Sequence, residues 1–216
     1  MSNIFIDIET SPTINLEVIK RLRSKIHPPA NYKNDDAIKK WWAINGEAKE
    51  KEVVNKTALD GLYGSIRCIG FAVDNEEPDV TTGSEKEQLI AFFKLLEDEK
   101  KSDGFVPDVV GHNVKDFDLK FIYHRAIVHN ILTPELFTKH YLDRYSDYVQ
   151  DTMRIWAGWN GTVSLENLAQ GLLGKGKSGN GSDVFAMSDE ECAEYCKDDV
   201  RLTREVFHKM TFNLRK

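Results

Sequence analysis

The sequence predicts an α/β fold, a mixed sheet flanked by helices, and three observations lead there. Short apolar runs of strand length stand at 3–10, 65–74 and 108–113. Helical stretches with apolar periodicity or a capping residue follow at 84–99, 118–130, 164–174 and about 188–209. The order strand, strand, helix, strand, helix, strand, helix interleaves the two kinds of element, as a sheet covered by helices requires. A chain of 216 residues suits one such domain, 1–216, with enough length to bury a core.

The first strand is NIFIDIET, ending near Thr10. Residues 17–27 are predicted as a short basic helix, stopped by the Pro28-Pro29 pair. Asp35 to Val54 is charged, compatible with helix and centred on Trp41-Trp42. That excursion is too long for a hairpin connection, so residues 17–57 are assigned as a helical insertion between the first two strands. SIRCIGFAVD (65–74) is the second strand, entered through the turn-forming Asp60-Gly61 and Tyr63-Gly64. Helix 84–99 has Ser84 as N-cap and Leu89, Ile90, Phe92, Phe93 and Leu96 on its apolar side. DVVGHN (108–113) is a short buried strand, and DLKFIYHRAIVHN (118–130) returns as helix. Asp143–Ile155 holds a strand or short helix, Ser164 caps the next helix, and 174–184 is a flexible Gly-rich connector. That connector lacks the strand-loop-helix order of a nucleotide-binding loop, and substrate contact by Lys175 or Lys177 is the alternative to a plain link.

Composition narrows the function classes. The net charge of −6 argues against a protein that coats DNA through a broad basic surface. A nucleic-acid enzyme stays open: two divalent ions held by acids would bring the occupied chain to about −2. No apolar run approaches the roughly 18 residues of a membrane span, so no membrane association is expected. Cys68, Cys192 and Cys196 form no CxxC pair and read as thiols in a reducing, cytoplasmic setting.

The chemistry lies in acids placed where a core would exclude them. Residues two apart on a strand share a face, so Asp7 and Glu9 project together while Ile4, Ile6 and Ile8 project oppositely. Adjacent carboxylates in a core strand repel each other and lose solvation unless something positive lies between them. A solvated strand end or a hard cation resolves that conflict. Asp118 opens an apolar-periodic helix in GHNVKDFDLKFI, where an Asp also serves as an ordinary dipole partner. Near the end, EYCKDDVRLT sets Tyr195 and Asp199 four apart on one helix face. Spacing alone does not choose between Asp198 and Asp199.

Taken in order, Asp7 and Glu9, Asp118 in NxxxFD, and Tyr195xxxAsp199 resemble the three motifs of the DEDD, or DnaQ-like, superfamily of 3′→5′ exonucleases. The YxxxD spacing resembles the tyrosine subclass, and no His stands five residues before Asp198 or Asp199 as the histidine subclass requires. PPANYK (28–33), ALDGLYGSIRCIGFA (58–72) and KSGNGSDV (177–184) are similar to phage and bacterial predicted exonucleases related to the proofreading domain of family-B DNA polymerases. The resemblance implies a ribonuclease-H-like sheet and two divalent cations, Mg²⁺ or Mn²⁺. Asp7 would bridge them, Glu9 and Asp199 would hold one, and Asp118 would act through water or the second. Tyr195 would orient, or help deprotonate, the attacking water. Thr10, Asn113 and Phe117 are the candidate substrate contacts, with Asn113 and Phe117 favoured as loop-fixing and packing residues.

The resemblance further implies single-stranded nucleic acid as partner, DNA ahead of RNA, and a place beside replication or repair proteins. An exoribonuclease would use the same acids. A catalytically silent nucleic-acid-binding module and a hydrolase of small nucleotides are the readings from other classes. His112 is expected to be structural, Asp151 to stand outside the site, and Trp41-Trp42 to cover the core under the insertion rather than stack on bases. Lys39, Lys40 and the basic stretch 20–25 are the candidate phosphate contacts.

Overall fold

The computed structural model describes residues 2–176 and 183–212. Lys177 and most of the KSGNGSDV segment lie outside the described residues. The chain divides into two compact units, one of residues 1–9 with 66–216 and one of residues 10–65.

The larger unit is built on a sheet. Among the described residues the strands β1 (Asn3–Ser11), β2 (Ser65–Val73), β3 (Asp79–Val80), β4 (Asp108–Gly111) and β5 (Val149–Asp151) lie in the order β3-β2-β1-β4-β5. β4 pairs parallel with both β1 and β5, in the registers Phe5 to Val110 and Gly111 to Asp151. β3 pairs antiparallel with β2, Gly70 opposite Val80. The mixed sheet is therefore as the sequence predicts. β3 goes unpredicted because two residues are too few to display alternation.

Both faces of β1 are buried, against different helices. Ile4, Ile6 and Ile8 enter a core with Leu89, Phe92 and Leu96 of α3 (Glu85–Asp103) and Leu119 and Ile122 of α4 (Asp118–Val128). Phe5 points the other way, with Val110, and meets Val200 and Phe207 of the long C-terminal helix (Asp189–Thr211). Each such buried side chain stabilises by about 1.5–3 kcal/mol, enough together to hold the strand although acids follow at its end. The structure adds a short helix, α5 (Glu135–His140), and splits the DTMRIW segment at Asp151 into the end of β5 and α6 (Thr152–Ala157). Helix α7 (Leu165–Leu173), capped by Ser164, packs Leu165, Leu168 and Ala169 on Leu202 and Val206 of the last helix, α8. Ser84 with Glu87 and Ser188 with Glu191 form full capping boxes at α3 and α8.

The smaller unit is helical. α1 (Leu16–Arg23) is capped by Asn15 and α2 (Asp35–Asn55) by Asn34, followed by a tight turn at Lys56–Leu59. α1 ends well before Pro28, where the Ser24 hydroxyl bonds back to the Arg21 carbonyl at 2.8 Å. Trp41 is buried and meets Trp42 edge-on at 5.3 Å and Tyr32 at 6.5 Å, so it serves packing. Gly64 is required by space: a Cβ there would stand 2.5 Å from the Thr57 carbonyl oxygen.

Candidate active site

The acids of β1 face α8. Asp7 and Glu9 lie on the Phe5 side of the strand, and the Cys196 thiol approaches the Asp7 carbonyl at 3.6 Å. α8 reaches so close because β2 carries Gly70. A Cβ there would stand 2.7 Å from Cys196 Sγ and 3.1 Å from Val200 Cγ2. The resulting approach brings a carboxylate oxygen from each of Asp7, Glu9 and Asp199 within 4.8 Å of one another. Asp199 and Glu9 are buried there and Asp7 is half-buried.

Spacing left Asp198 and Asp199 equivalent; burial separates them. Asp199 is 3% exposed, whereas Asp198 lies on the surface paired with Arg201 at 2.7 Å. Tyr195, one turn before Asp199, is also buried and packs among Cys68, Val184, Cys192 and Cys196. Three buried thiols line this region, Cys68 and Cys192 with sulfurs 3.9 Å apart. The bond between Cys68 and Cys196 favours the Cys196 thiolate, but burial beside Asp7 and Glu9 outweighs it and pushes that thiol well up.

Asp118 stands apart from the three converging acids. Its Oδ1 accepts the amide of Ile8 at 3.1 Å, which ties the start of α4 to the backbone between Asp7 and Glu9. Burial pushes its carboxyl up to about 7 against the opposing pull of backbone hydrogen bonds, with the negative charge of Asp151 adding to the rise.

The loop 113–117 sets the entry to α4. Asn113 adopts φ 60°, and its carbonyl accepts the amides of Asp116 and Phe117 at 3.2 and 3.0 Å. Phe117 packs against the core and meets Phe121 at 5.6 Å. His112 is held at both nitrogens, by Thr152 Oγ1 and the Val163 carbonyl, each at 2.9 Å. The Thr10 hydroxyl donates to the Ala58 carbonyl at 2.8 Å. Lys175, weighed as a substrate contact, pairs with Glu205 at 2.6 Å.

Asp151 is the residue whose part the sequence concealed. It is almost completely buried and accepts four backbone amides: Asn113, Met153 and Arg154 on Oδ1, and Lys115 on Oδ2. One carboxylate thus fixes both the loop leading to Asp118 and the start of α6. An Asp placed just before a helix is an N-cap signal legible in the sequence; its hold on a second loop is not.

The three converging groups offer only carboxylate oxygens, the donor set hard divalent cations prefer. Three anions so close are compensated by such a cation, so the residues present fit the metal site that the motifs imply.

Among comparisons with known proteins, no curated protein matches the chain. A family model described as a predicted 3′–5′ exonuclease related to the exonuclease domain of PolB matches residues 65–214. That span includes Asp118, Tyr195 and Asp199, and it covers more than half the sequence. With the α/β sheet and the acid cluster described above, it follows that the chain belongs to this family of predicted 3′–5′ exonucleases, a family of hydrolases acting on nucleic acid.

Proposed function

We propose that the chain is a metal-dependent 3′→5′ exonuclease of the tyrosine subclass. It shortens single-stranded DNA from its 3′ end and releases nucleoside monophosphates. The observation that carries this reading is the convergence of Asp7, Glu9 and Asp199, from a strand and a helix at opposite ends of the sequence, within 4.8 Å. One exonuclease domain spans 1–216, with 17–57 as its insertion.

In this reading Asp7, Glu9 and Asp199 would hold one divalent cation, Mg²⁺ or Mn²⁺, and Asp118, with Asp7, would serve a second or act through water. When bound, such a pair stabilises the attacking and leaving oxygens of an in-line phosphodiester displacement. The chain's own residues do the rest. Asp118 ties the start of α4 to β1 through the Ile8 amide, which orients its carboxylate. Asp151 holds loop 113–117 and so the approach to the terminal nucleotide. Tyr195, one turn from Asp199, would hold the attacking water by a hydrogen bond from its phenol. A phenol titrates near 10, so its part is orientation more than proton abstraction. Three thiols without a disulfide suit a reducing cytoplasm, and a partner in replication or repair would deliver the frayed end.

The test uses 5′-labelled single-stranded DNA and matching RNA with Mg²⁺, Mn²⁺ or EDTA, for wild type and Asp199→Ala. A metal-dependent ladder shortening from the 3′ end, abolished in the variant, is expected, with DNA cut faster. Cleavage of RNA alone would move the assignment to an exoribonuclease. No cleavage of either, with binding retained, would overturn the reading in favour of a binding module.

A further inference from the structure

Around β5 the larger unit exposes an aromatic surface that carries Arg144, with Asp143 and Asp147 exposed beside it, and that the acid site does not use. Tyr145 is 74% exposed and Trp159 is 43% exposed, their rings 6.0 Å apart at 64°. The Arg144 guanidinium lies over both, 4.9 Å from the Trp159 ring centre and 5.9 Å from that of Tyr145. Among the described residues Arg144 has no carboxylate partner, and Asp143 in the same turn commits an oxygen to the Tyr145 amide at 2.9 Å. A shallow groove of about 250 Å³ runs beside Trp159, below the ~300–1,000 Å³ of a pocket enclosing a small molecule.

Two side chains bolt this surface to the loop that leads into Asp118. Arg154 donates to Asp116 Oδ2 at 2.6 Å and to the carbonyls of Trp159 and Gly161 at 2.9 and 3.1 Å. Lys115 donates to the carbonyls of Ser146 and Arg144 at 2.9 and 3.4 Å. Both anchors, Lys115 and Asp116, belong to the stretch directly before Asp118. The aromatic pair, Tyr145 just before β5 and Trp159 just after α6, is therefore held in fixed relation to a site acid.

We propose that Trp159, Tyr145 and Arg144 form a platform for the unpaired substrate strand, upstream of the nucleotides at the acids. The inference rests on the exonuclease reading for its substrate class. Bases of any sequence stack on exposed aromatic faces, and an uncommitted guanidinium meets the phosphate that follows each base. Lys115 and Arg154 position the platform and do not touch the strand.

The test separates binding from hydrolysis. Affinity for a fluorescent single-stranded DNA of about ten nucleotides is measured in EDTA for wild type, Trp159→Ala, Trp159→Phe and Arg144→Ala. Hydrolysis of a DNA dinucleotide is measured with Mg²⁺, and with Mn²⁺, on the same proteins. Trp159→Ala is expected to weaken oligomer binding about 5- to 150-fold, the loss of one stacked base. Trp159→Phe should restore most of it, and Arg144→Ala should lower the salt slope by about 0.7. Dinucleotide hydrolysis should not change. Unaltered oligomer affinity and salt slope in both alanine variants would overturn the platform. If self-association were then lost in Trp159→Ala, the surface would belong to a second copy of the chain. Failure of wild type to cleave the dinucleotide and longer strands would sink the exonuclease reading instead, while the binding differences would still judge the platform.

Discussion

The Asp118 carboxyl accepts the Ile8 amide at 3.1 Å, a bond that spans 110 residues of sequence and joins the entry of α4 to the acid-bearing strand. Asp118 therefore has a structural acceptor role and a charge, and the two are separable. Asp118→Asn keeps an acceptor for Ile8 and should unfold within about 1 kcal/mol of wild type in EDTA. Its metal-dependent cleavage should fall on the order of 100-fold. Asp118→Leu leaves the buried Ile8 amide unsatisfied and should lose a further 1–3 kcal/mol or so. Urea unfolding alongside the nuclease assay distinguishes them, and equal stabilities for Asn and Leu would refute the acceptor role.

Asp199 and its neighbour offer a sharper contrast. Removing one of three clustered carboxylates relieves repulsion, so Asp199→Asn should melt above wild type in EDTA while losing cleavage. Mg²⁺ or Mn²⁺ should raise the melting temperature of wild type and leave that of Asp199→Asn unmoved. Asp198→Ala removes only a surface ion pair with Arg201 and should alter stability by less than about 1 kcal/mol. Thermal scans with and without metal check all three.

Close packing at Gly70 sets how near α8 comes to β2. Gly70→Ala places a methyl 2.7 Å from Cys196 Sγ, and the helix has to give way. A destabilisation of about 1–3 kcal/mol is expected. Cleavage should drop with it, because Tyr195 and Asp199 ride on the displaced helix. Pairing Gly70→Ala with Cys196→Ala, which vacates the sulfur's space, should recover part of both; no recovery would place the constraint on Val200 or the backbone.

Outside the three converging acids, Glu85 accepts Arg125 at 2.8 Å, His129 at 2.6 Å and the Ile66 amide at 2.6 Å. Burial pushes its carboxyl up, but these three bonds together outweigh burial and hold it below its ordinary 4.5. Its folded value is thus depressed. The stability it contributes is fully present above the unfolded value and lost as pH falls through the lower folded one. Glu85→Ala should cost about 3 kcal/mol at neutral pH. The gap to wild type should close only in acid below 4.5. Urea midpoints from neutral pH down into that range measure it, and a gap that stayed constant would deny the ionised cluster.

The sequence disclosed elements whose signals are local. Apolar runs marked β1 and β2, Ser84 and Ser164 announced the starts of α3 and α7, and the acids stood out as charges in apolar runs. Local signals fade where elements are short. β3 has two residues and α5 six, too few to show a period.

By itself, then, the sequence determined that an α/β sheet forms and that Asp7, Glu9, Asp118, Tyr195 and Asp199 are set at motif spacing. It did so because side-chain periodicity is a property of each strand and helix alone. The resemblance had already picked Asp199 over Asp198; what only the tertiary structure decided is that Asp199 is buried beside the acids of β1, for that depends on which face of α8 meets Gly70. The same holds for Asp151, whose carboxylate gathers the amides of Asn113 and Lys115, 38 and 36 residues before it. Burial and long-range hydrogen bonds are relations between segments, and no single segment carries them.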